Sequence, residues 1–158
     1  MAPTPKKKVV SSAVHNAVKP AVKHAKYVEA IGRRKTAAVR VRVTEAKHGE
    51  GHPGITVNGK KYREYFPLKR QQAIVAAPFM NVSLAEADYV ISAHAKGGGT
   101  NAQAEALCLG IARALIIIDP TWRTKLKALG YLKRDPRMVE SKKFGSRKAR
   151  RPQQWRKR

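Results

Sequence analysis

The sequence predicts a small α/β domain, a mixed sheet with packed helices, that carries a basic tail at each end. Two stretches, 37–44 and 89–95, alternate apolar and polar residues with the period of two that is typical of half-buried strands. A third stretch, 100–118, has apolar residues at helical spacing. Because strands and helices follow one another along the chain, we expect the helices to pack against the sheet.

The strand predictions follow from which side chains share a face. In the first stretch the apolar face consists of Ala37, Val39, Val41 and Val43. Arg40 and Arg42 fall on the opposite face, which we expect to be exposed to water. Residues 55–57 form a further short strand that ends in Asn58-Gly59, a turn signal because both residues tolerate positive φ.

Three helices are predicted. Pro67 suits the first turn of a helix that Pro78 ends. The helix at 100–118 has an inward stripe that consists of Leu107, Ile111, Leu115 and Ile118. Asp119 caps a last short helix that Gly130 terminates. The inward residues of this last helix are Trp122, Leu126 and Leu129.

The chain has three parts that differ in their content of charged residues. The net charge is +24, from 34 Lys and Arg against 10 Asp and Glu. Residues 1–26 hold six basic and no acidic residues, and we expect them to form a flexible basic arm. Residues 27–132 hold sixteen basic and eight acidic residues and are predicted to form the globular core. Residues 133–158 hold twelve basic and two acidic residues and are predicted to form an extended basic tail. This charge indicates a polyanionic partner and is a poor fit to a free enzyme of small neutral metabolites.

Other classes of protein find little support in the sequence. The apolar run at 112–118 is too short to span a membrane. The single cysteine, Cys108, excludes an intramolecular disulfide and is expected as a buried thiol. His48, Glu50 and His52 lie in a Gly- and Pro-containing loop, where no helix would fix a pair of metal ligands. We therefore predict no metal site, no cofactor and no enzymatic activity.

Two core segments carry candidate phosphate contacts. Gly97-Gly98-Gly99 stands directly before a helix, whose start Thr100 and Gln103 mark as a capping box. Exposed amides there form either an anion site or a plain loop, and a nucleotide-binding loop would need a spacing that is absent. Arg33, Arg34, Lys35, Arg40 and Arg42 are five cations within ten residues, with no acid between them. That density favours phosphate binding over a merely solvated face.

The helix after the glycine loop carries two further signals. Gly110 costs roughly 1 kcal/mol relative to Ala inside a helix, so it indicates close packing of the helix on a strand. Arg113 is either a surface ion-pair residue, which periodicity favours, or a phosphate contact.

The C-terminal tail has too few hydrophobic residues for a membrane-surface helix and no heptads. Gly145 and Pro152 resist one continuous helix. An extended, arginine-rich thread through folded RNA fits better, with Phe144 and Trp155 available to stack on bases.

These stretches together resemble a known family. The motifs are Gly32-Arg33-Arg34-Lys35-Thr36, Ile55-Thr56-Val57-Asn58-Gly59, Gly97-Gly98-Gly99 with Gln103, Gly110 with Arg113-Ala114-Leu115, Asp135-Pro136-Arg137-Met138-Val139-Glu140, Lys142-Lys143, Lys148-Ala149-Arg150-Arg151 and Lys157-Arg158. From Tyr27 to Arg158 the chain resembles the universal small-subunit ribosomal protein nine family, in its bacterial or organellar form. The resemblance implies a fold of the ribosomal-protein-S-five second-domain type, in the head of the small subunit of a cytoplasmic ribosome, with an organellar ribosome left open.

The resemblance also implies partners: small-subunit rRNA, peptidyl-site tRNA and neighbouring ribosomal proteins of the head. With the strand-face arginines and the glycine loop, the predicted rRNA contacts are Arg33, Arg34, Lys35, Arg40, Arg42, Gly97, Gly98, Gly99, Arg113, Arg137, Lys142, Lys143, Arg147, Lys148, Arg150 and Arg151. The tRNA contacts implied at the end of the tail are Arg156, Lys157 and Arg158.

The sequence departs from the family pattern in the tail. Ser141 stands where a basic residue is frequent, and the family ending Phe-Ser-Lys-Arg is replaced by Trp155-Arg156-Lys157-Arg158, which adds a charge beside the implied tRNA contact. Two other functions are also compatible with the sequence. A histone-like DNA-binding protein would share the charge, and a nucleotide-dependent enzyme would use the loop at 97–99.

Overall fold

In the computed structural model of the protein, the described residues are 27–45, 54–85 and 88–157. Three predictions lie outside them: the basic arm at 1–26, the loop that holds His48, Glu50 and His52, and the terminal Arg158.

Five strands form one mixed sheet. They are β1 (Val28–Arg34), β2 (Ala37–Glu45), β3 (Gly54–Val57), β4 (Lys60–Lys61) and β5 (Tyr89–Lys96). Their order across the sheet is β1-β2-β5-β3-β4, with β3 and β5 parallel and the other neighbours antiparallel. The predicted α/β class is confirmed, and both alternating stretches are strands that pair with each other.

The alternation of β2 has the predicted orientation. Val39, Val41 and Val43 are buried, whereas Arg40 is exposed and Arg42 is half-buried. Strand β1 was not predicted, because it lacks an alternating apolar pattern: its buried positions hold two small residues and one charged residue. They are Ala30, Gly32 and Arg34.

The connection after β3 is the predicted tight turn. Asn58 and Gly59 have φ values of 50° and 82°, so both adopt the left-handed conformation that the dipeptide favours. The Asn58 side chain also pairs with the backbone of β5, because its Oδ1 accepts from the Ala95 N–H at 2.9 Å and its Nδ2 donates to the Ala95 carbonyl at 3.1 Å.

The helices are α1 (Tyr62–Tyr65), α2 (Lys69–Val82), α3 (Thr100–Ile118) and α4 (Arg123–Ala128), with a 3-10 turn at Pro120–Trp122. Helix α3 packs across β1 and β2, and α2 packs on α3. Helix α3 has the length and apolar composition of a membrane span, but sheet and α2 cover most of it. Its composition is therefore accounted for by its place at the centre of the core.

Three details of the helix predictions were wrong. Pro67 is not in the first turn of α2, because the helix begins at Lys69 with Leu68 as its N-cap. Pro78 lies inside α2 and does not end it, because the apolar face continues to Val82 and remains buried. Leu129 is 53% exposed and does not point inward, because α4 ends at Ala128. The predicted cap is confirmed, since Asp119 Oδ1 accepts from the Thr121 N–H at 3.0 Å.

Candidate nucleic-acid interface

Three segments that the sequence analysis singled out meet at one end of the sheet. They are the β1–β2 turn, the loop between β5 and α3, and the start of the tail, and we call this region the basic corner (33–36, 96–99 and 134–137). The Arg134 Nη2 donates to the Lys35 carbonyl at 3.2 Å, which joins tail and turn. A Cβ at Gly97 would lie 2.7 Å from the Thr36 carbonyl oxygen, which shows how closely loop and turn approach.

The glycine loop is shaped by this approach. Gly97 and Gly98 have φ values of 75° and 63°, and a Cβ at Gly98 would lie 2.8 Å from the Cβ of Ala37. These two glycines are therefore required by conformation and by space. Gly99 differs, because its surroundings are open and it stands at the N-cap of α3 without a side-chain cap. The exposed helix start is where an anion has access.

The helix starts at Thr100 as predicted, but the predicted capping box was wrong. The Gln103 Nε2 donates to the Gly97 carbonyl at 3.0 Å, and its Oε1 accepts from the Tyr65 hydroxyl at 2.8 Å. The Thr100 hydroxyl accepts from the Gln71 Nε2 at 3.1 Å. Gln103 thus fixes the loop, which leaves the first amides of α3 without a capping side chain.

Arg33 and Arg34 are neighbours in sequence but not in environment. Arg33 and Lys35 are exposed, whereas Arg34 is only 8% exposed. The Arg34 guanidinium contacts the Glu105 carboxylate on α3 and, at 3.0 Å, the Asp135 carboxylate of the tail. For Arg34 the predicted phosphate contact is at odds with this geometry, because its donors already point to protein acceptors.

The face of the sheet opposite α3 is open and mostly basic. Arg40 and Arg42 lie on it as predicted, beside Glu29 of β1. The Arg42 Nε is 3.0 Å from Glu29, and its guanidinium lies 4.6 Å from the ring centroid of Tyr27. Arg40 is more loosely held, with its Nε 3.9 Å from the same carboxylate.

Two further residues of β5 with basic side chains share this face, and the sequence did not identify them as candidates. His94 is paired in register with Arg40, and Lys96 with Ala38. The alternation predicted for 89–95 already put His94 on the polar side, and β5 extends one residue farther, to Lys96. We call this surface, with Arg33, Arg40, Arg42, His94 and Lys96, the open basic face.

Arg113 was predicted to be either a surface ion-pair residue or a phosphate contact, and its contacts fit neither prediction fully. It is exposed, and its Nη1 donates to the Ile31 carbonyl of the edge strand β1 at 2.8 Å. One side of the guanidinium therefore ties α3 to β1, and the exposed remainder is open to a phosphate.

The tail begins with an ordered turn at Asp135. Its carboxylate accepts from the Arg137 side chain at 2.8 Å and from the Arg137 backbone N–H at 2.9 Å. These hydrogen bonds, that of the side chain foremost, lower the pKa of the Asp135 carboxyl to about 2. The same pair raises the pKa of the Arg137 guanidinium. Arg137 and Asp135 thus remain oppositely charged at any physiological pH.

Farther along, the tail is extended and then folds back once. Ser146 and Pro152 form a β-bridge, and the Arg147 N–H donates to the Arg151 carbonyl at 2.8 Å. Gly145, with φ 76°, lets the chain turn there. The predicted cations of the tail are exposed: Arg137, Lys142, Lys143, Arg147, Lys148, Arg150, Arg151, Arg156 and Lys157.

The single cysteine is not placed to act as a nucleophile. Cys108 is buried, and burial, together with the Glu105 carboxylate, raises the pKa of its thiol to about 12. Within residues 27–45, 54–85 and 88–157, no three His, Cys, Asp or Glu side chains lie close enough to hold a metal ion.

Comparison with known proteins agrees with the resemblance. Residues 32–158 match the protein family described as ribosomal protein S9/S16. Small ribosomal subunit protein uS9 of Mycobacterium tuberculosis (strain H37Rv) is 45% identical over 131 residues, which cover 83% of this chain and 83% of the relative. The protein of that name from Mycobacterium avium is 44% identical over 131 residues, or 83% and 75% of the two chains. The chain therefore belongs to the ribosomal protein S9/S16 family, in its bacterial form.

Proposed function

We propose that this protein binds small-subunit rRNA in the head of the ribosomal subunit and that the end of its tail contacts peptidyl-site tRNA. Its family makes it a structural protein of the small ribosomal subunit, which works in the bacterial cytoplasm. The observation that carries the rRNA proposal is the convergence of turn, glycine loop and tail at the basic corner. A single polyanion is able to contact all three at once.

The mechanism of binding is electrostatic. Lysine and arginine side chains neutralise phosphates and release the counterions condensed on the nucleic acid. Arginine adds geometry, because its planar guanidinium meets two phosphate oxygens at once. The core therefore holds a rigid set of cations, while the tail follows the RNA away from the core.

The proposed rRNA contacts are the predicted set without the buried Arg34, and all of them are exposed except the half-buried Arg42. They are Arg33, Lys35, Arg40, Arg42, Gly97, Gly98, Gly99, Arg113, Arg137, Lys142, Lys143, Arg147, Lys148, Arg150 and Arg151. Gly97 and Gly98 allow the backbone of the loop to pass close to the β1–β2 turn, and Gly99 leaves the start of α3 open to a phosphate. Phe144 and Trp155 are almost fully exposed, as side chains that stack on unpaired bases would be.

The proposed tRNA contacts are Arg156, Lys157 and Arg158. Arg156 and Lys157 are exposed at the far end of the tail. Removal of 157–158 should speed dissociation of peptidyl-site tRNA from reconstituted subunits without blocking their assembly. An unchanged tRNA dissociation rate in the truncated subunits would remove this part of the proposal.

The rRNA proposal is tested against duplex DNA. We expect the full-length protein to retain small-subunit rRNA at moderate salt when an equal mass of duplex DNA competes. Equal retention on the two nucleic acids would instead favour a general DNA-binding protein. The family has a structural role, and we propose neither a cofactor nor a catalytic activity for this chain.

A further inference from the structure

We propose that Arg34 is a positioning residue that fixes the tail root, 135–137, onto the core. The contact itself does not depend on RNA. Its consequence for RNA binding rests on the function proposed above, which is why the two are tested separately below.

The Arg34 side chain points away from the surface that RNA would contact. Successive residues of a strand point to opposite faces of the sheet. In β1, Arg33 therefore points to the open basic face, whereas Arg34 points to the side on which α3 packs and is 8% exposed. A phosphate has access to Arg33 and not to Arg34.

The Arg34 guanidinium makes four contacts with protein acceptors. Its Nε contacts the Glu105 carboxylate of α3. Its Nη2 is 3.0 Å from Asp135 Oδ2, and its Nη1 donates to the carbonyls of Arg137 at 2.7 Å and of Asp135 at 3.2 Å. One guanidinium thus joins β1, α3 and the tail, and three of these four contacts are with the tail root.

Both side chains that Arg34 contacts are carboxylates, which are rare in this chain. The chain has only 10 acidic residues against 34 basic ones, and two of the ten contact Arg34. Asp135 faces Arg34 with one carboxylate that also holds Arg137 at 2.8 Å. Scarce negative charge is therefore concentrated where the tail leaves the core.

The geometry also explains why the residue is arginine. A guanidinium has five N–H donors in a rigid planar fork, whereas a lysine ammonium is a single point charge with three donors. Lysine at this position keeps the charge, but its single ammonium group does not reach the acceptors of α3 and those of the tail root at the same time. A lysine variant therefore separates the role of geometry from that of charge.

Fixing the root has a consequence for the rest of the tail. A chain that is held at its root loses fewer conformations when it binds than a chain that moves freely from residue 135 onward. Arg34 is thus expected to raise RNA affinity although it does not contact RNA.

The first experiment measures tail order in the free, full-length protein. We expect Arg34→Lys to lower the backbone ¹⁵N heteronuclear NOE of residues 134–140 towards values of a flexible chain, while residues of α3 keep theirs. The matched control is Arg33→Lys, the same exchange one residue away on the exposed face, which should leave residues 134–140 unchanged. Unchanged NOE values in Arg34→Lys would overturn the proposal.

A second variant covers the case in which Arg34→Lys does not fold. Asp135→Asn changes a half-exposed residue at the tail root and leaves β1 and α3 intact. It should lower the same NOE values, and a tail root that stays rigid in Asp135→Asn would contradict the proposed role.

The second experiment measures binding to small-subunit rRNA over a range of salt concentrations. Arg34→Gln should weaken binding severalfold at every salt concentration with an unchanged log–log slope, because all cations that face the RNA remain. Arg33→Gln should lower the slope by about 0.7 to 0.9, the effect of one phosphate contact. A slope that Arg34→Gln lowers as much as Arg33→Gln does would make Arg34 a phosphate ligand, because glutamine removes the charge that lysine would keep. If the wild-type protein does not bind rRNA, the proposed function fails, whereas the NOE result still decides the role of Arg34.

Discussion

Gly32 of β1 and Gly110 of α3 lie against each other where the helix crosses the strand. A Cβ at Gly32 would lie 2.7 Å from the Gly110 nitrogen and 1.8 Å from the Ala106 carbonyl oxygen. A Cβ at Gly110 would lie 2.6 Å from Val41 Cγ2. The close packing that Gly110 predicts is therefore confirmed, and its partner on the strand is the glycine that begins the Gly-Arg-Arg-Lys-Thr motif.

We predict that Gly32→Ala lowers the free energy of unfolding by about 3 kcal/mol, the upper part of the range for overpacked cores. The added methyl group meets backbone atoms of α3, which cannot move aside as a side chain end would. The entropic gain of alanine over glycine, below about 1 kcal/mol, does not compensate. Urea denaturation monitored by circular dichroism measures the change.

The control for this variant is Gly99→Ala. Gly99 has open space around the position of a Cβ and an ordinary negative φ of −105°. Its replacement should change the free energy of unfolding by less than about 1 kcal/mol. If Gly32→Ala were no more destabilising than Gly99→Ala, the close approach of β1 and α3 would not be a feature of the folded protein.

What the sequence predicted and what it missed have a common physical cause. Strands β2 and β5 and the Asn58-Gly59 turn were found because their signals are local: period-two alternation and positive φ. Strand β1 was missed because close contact with α3 requires Gly32, which weakens its apolar pattern. The role of Arg34 was missed for a related reason, since its partners Glu105 and Asp135 lie 71 and 101 residues away.

The candidate site, too, could be predicted only where its signals are local in sequence. Charge density and the glycine triplet identified each part of the basic corner separately. That they meet in space depends on the crossing of α3 over β1, which composition does not reveal. Lys96 and His94 join the surface only through the pairing of β5 with β2.

Cys108 provides a test of the core. Because burial raises its pKa to about 12, the thiol should hold roughly a thousandfold less thiolate at pH 8 than an unperturbed cysteine. We predict that a disulfide-exchange reagent labels the native protein at least a hundredfold more slowly than the protein in guanidinium chloride. Labelling rates within tenfold of each other would show that α3 is not buried at this position.

The turn at Asp135 should depend on pH in a defined direction. The pKa of this carboxyl is lowered to about 2, so its stabilising contribution is present above its ordinary pKa of 3.8 and is lost as the pH falls through about 2. We predict that the carboxyl is still about 90% ionised at pH 3, as measured by its ¹³C chemical shift in the folded protein. Arg137→Gln should bring the pKa back towards 3.8. A wild-type midpoint near 3.8 would mean that Asp135 and Arg137 are not paired in solution.

We predict that removing a negative charge from the open basic face strengthens RNA binding. Glu29 is the one acidic side chain on the described part of this face, and it lies 3.0 Å from Arg42 and 3.9 Å from Arg40. Glu29→Gln should raise the affinity for small-subunit rRNA roughly 3- to 10-fold at low salt, because both arginines then face phosphate alone. Glu64→Gln makes the same change of net charge on α1, which packs beside β3 and β4 at the other edge of the sheet, and should have less than half that effect. Filter binding at several salt concentrations measures both variants. Equal gains for the two would mean that RNA responds to the net charge of the protein and not to this face.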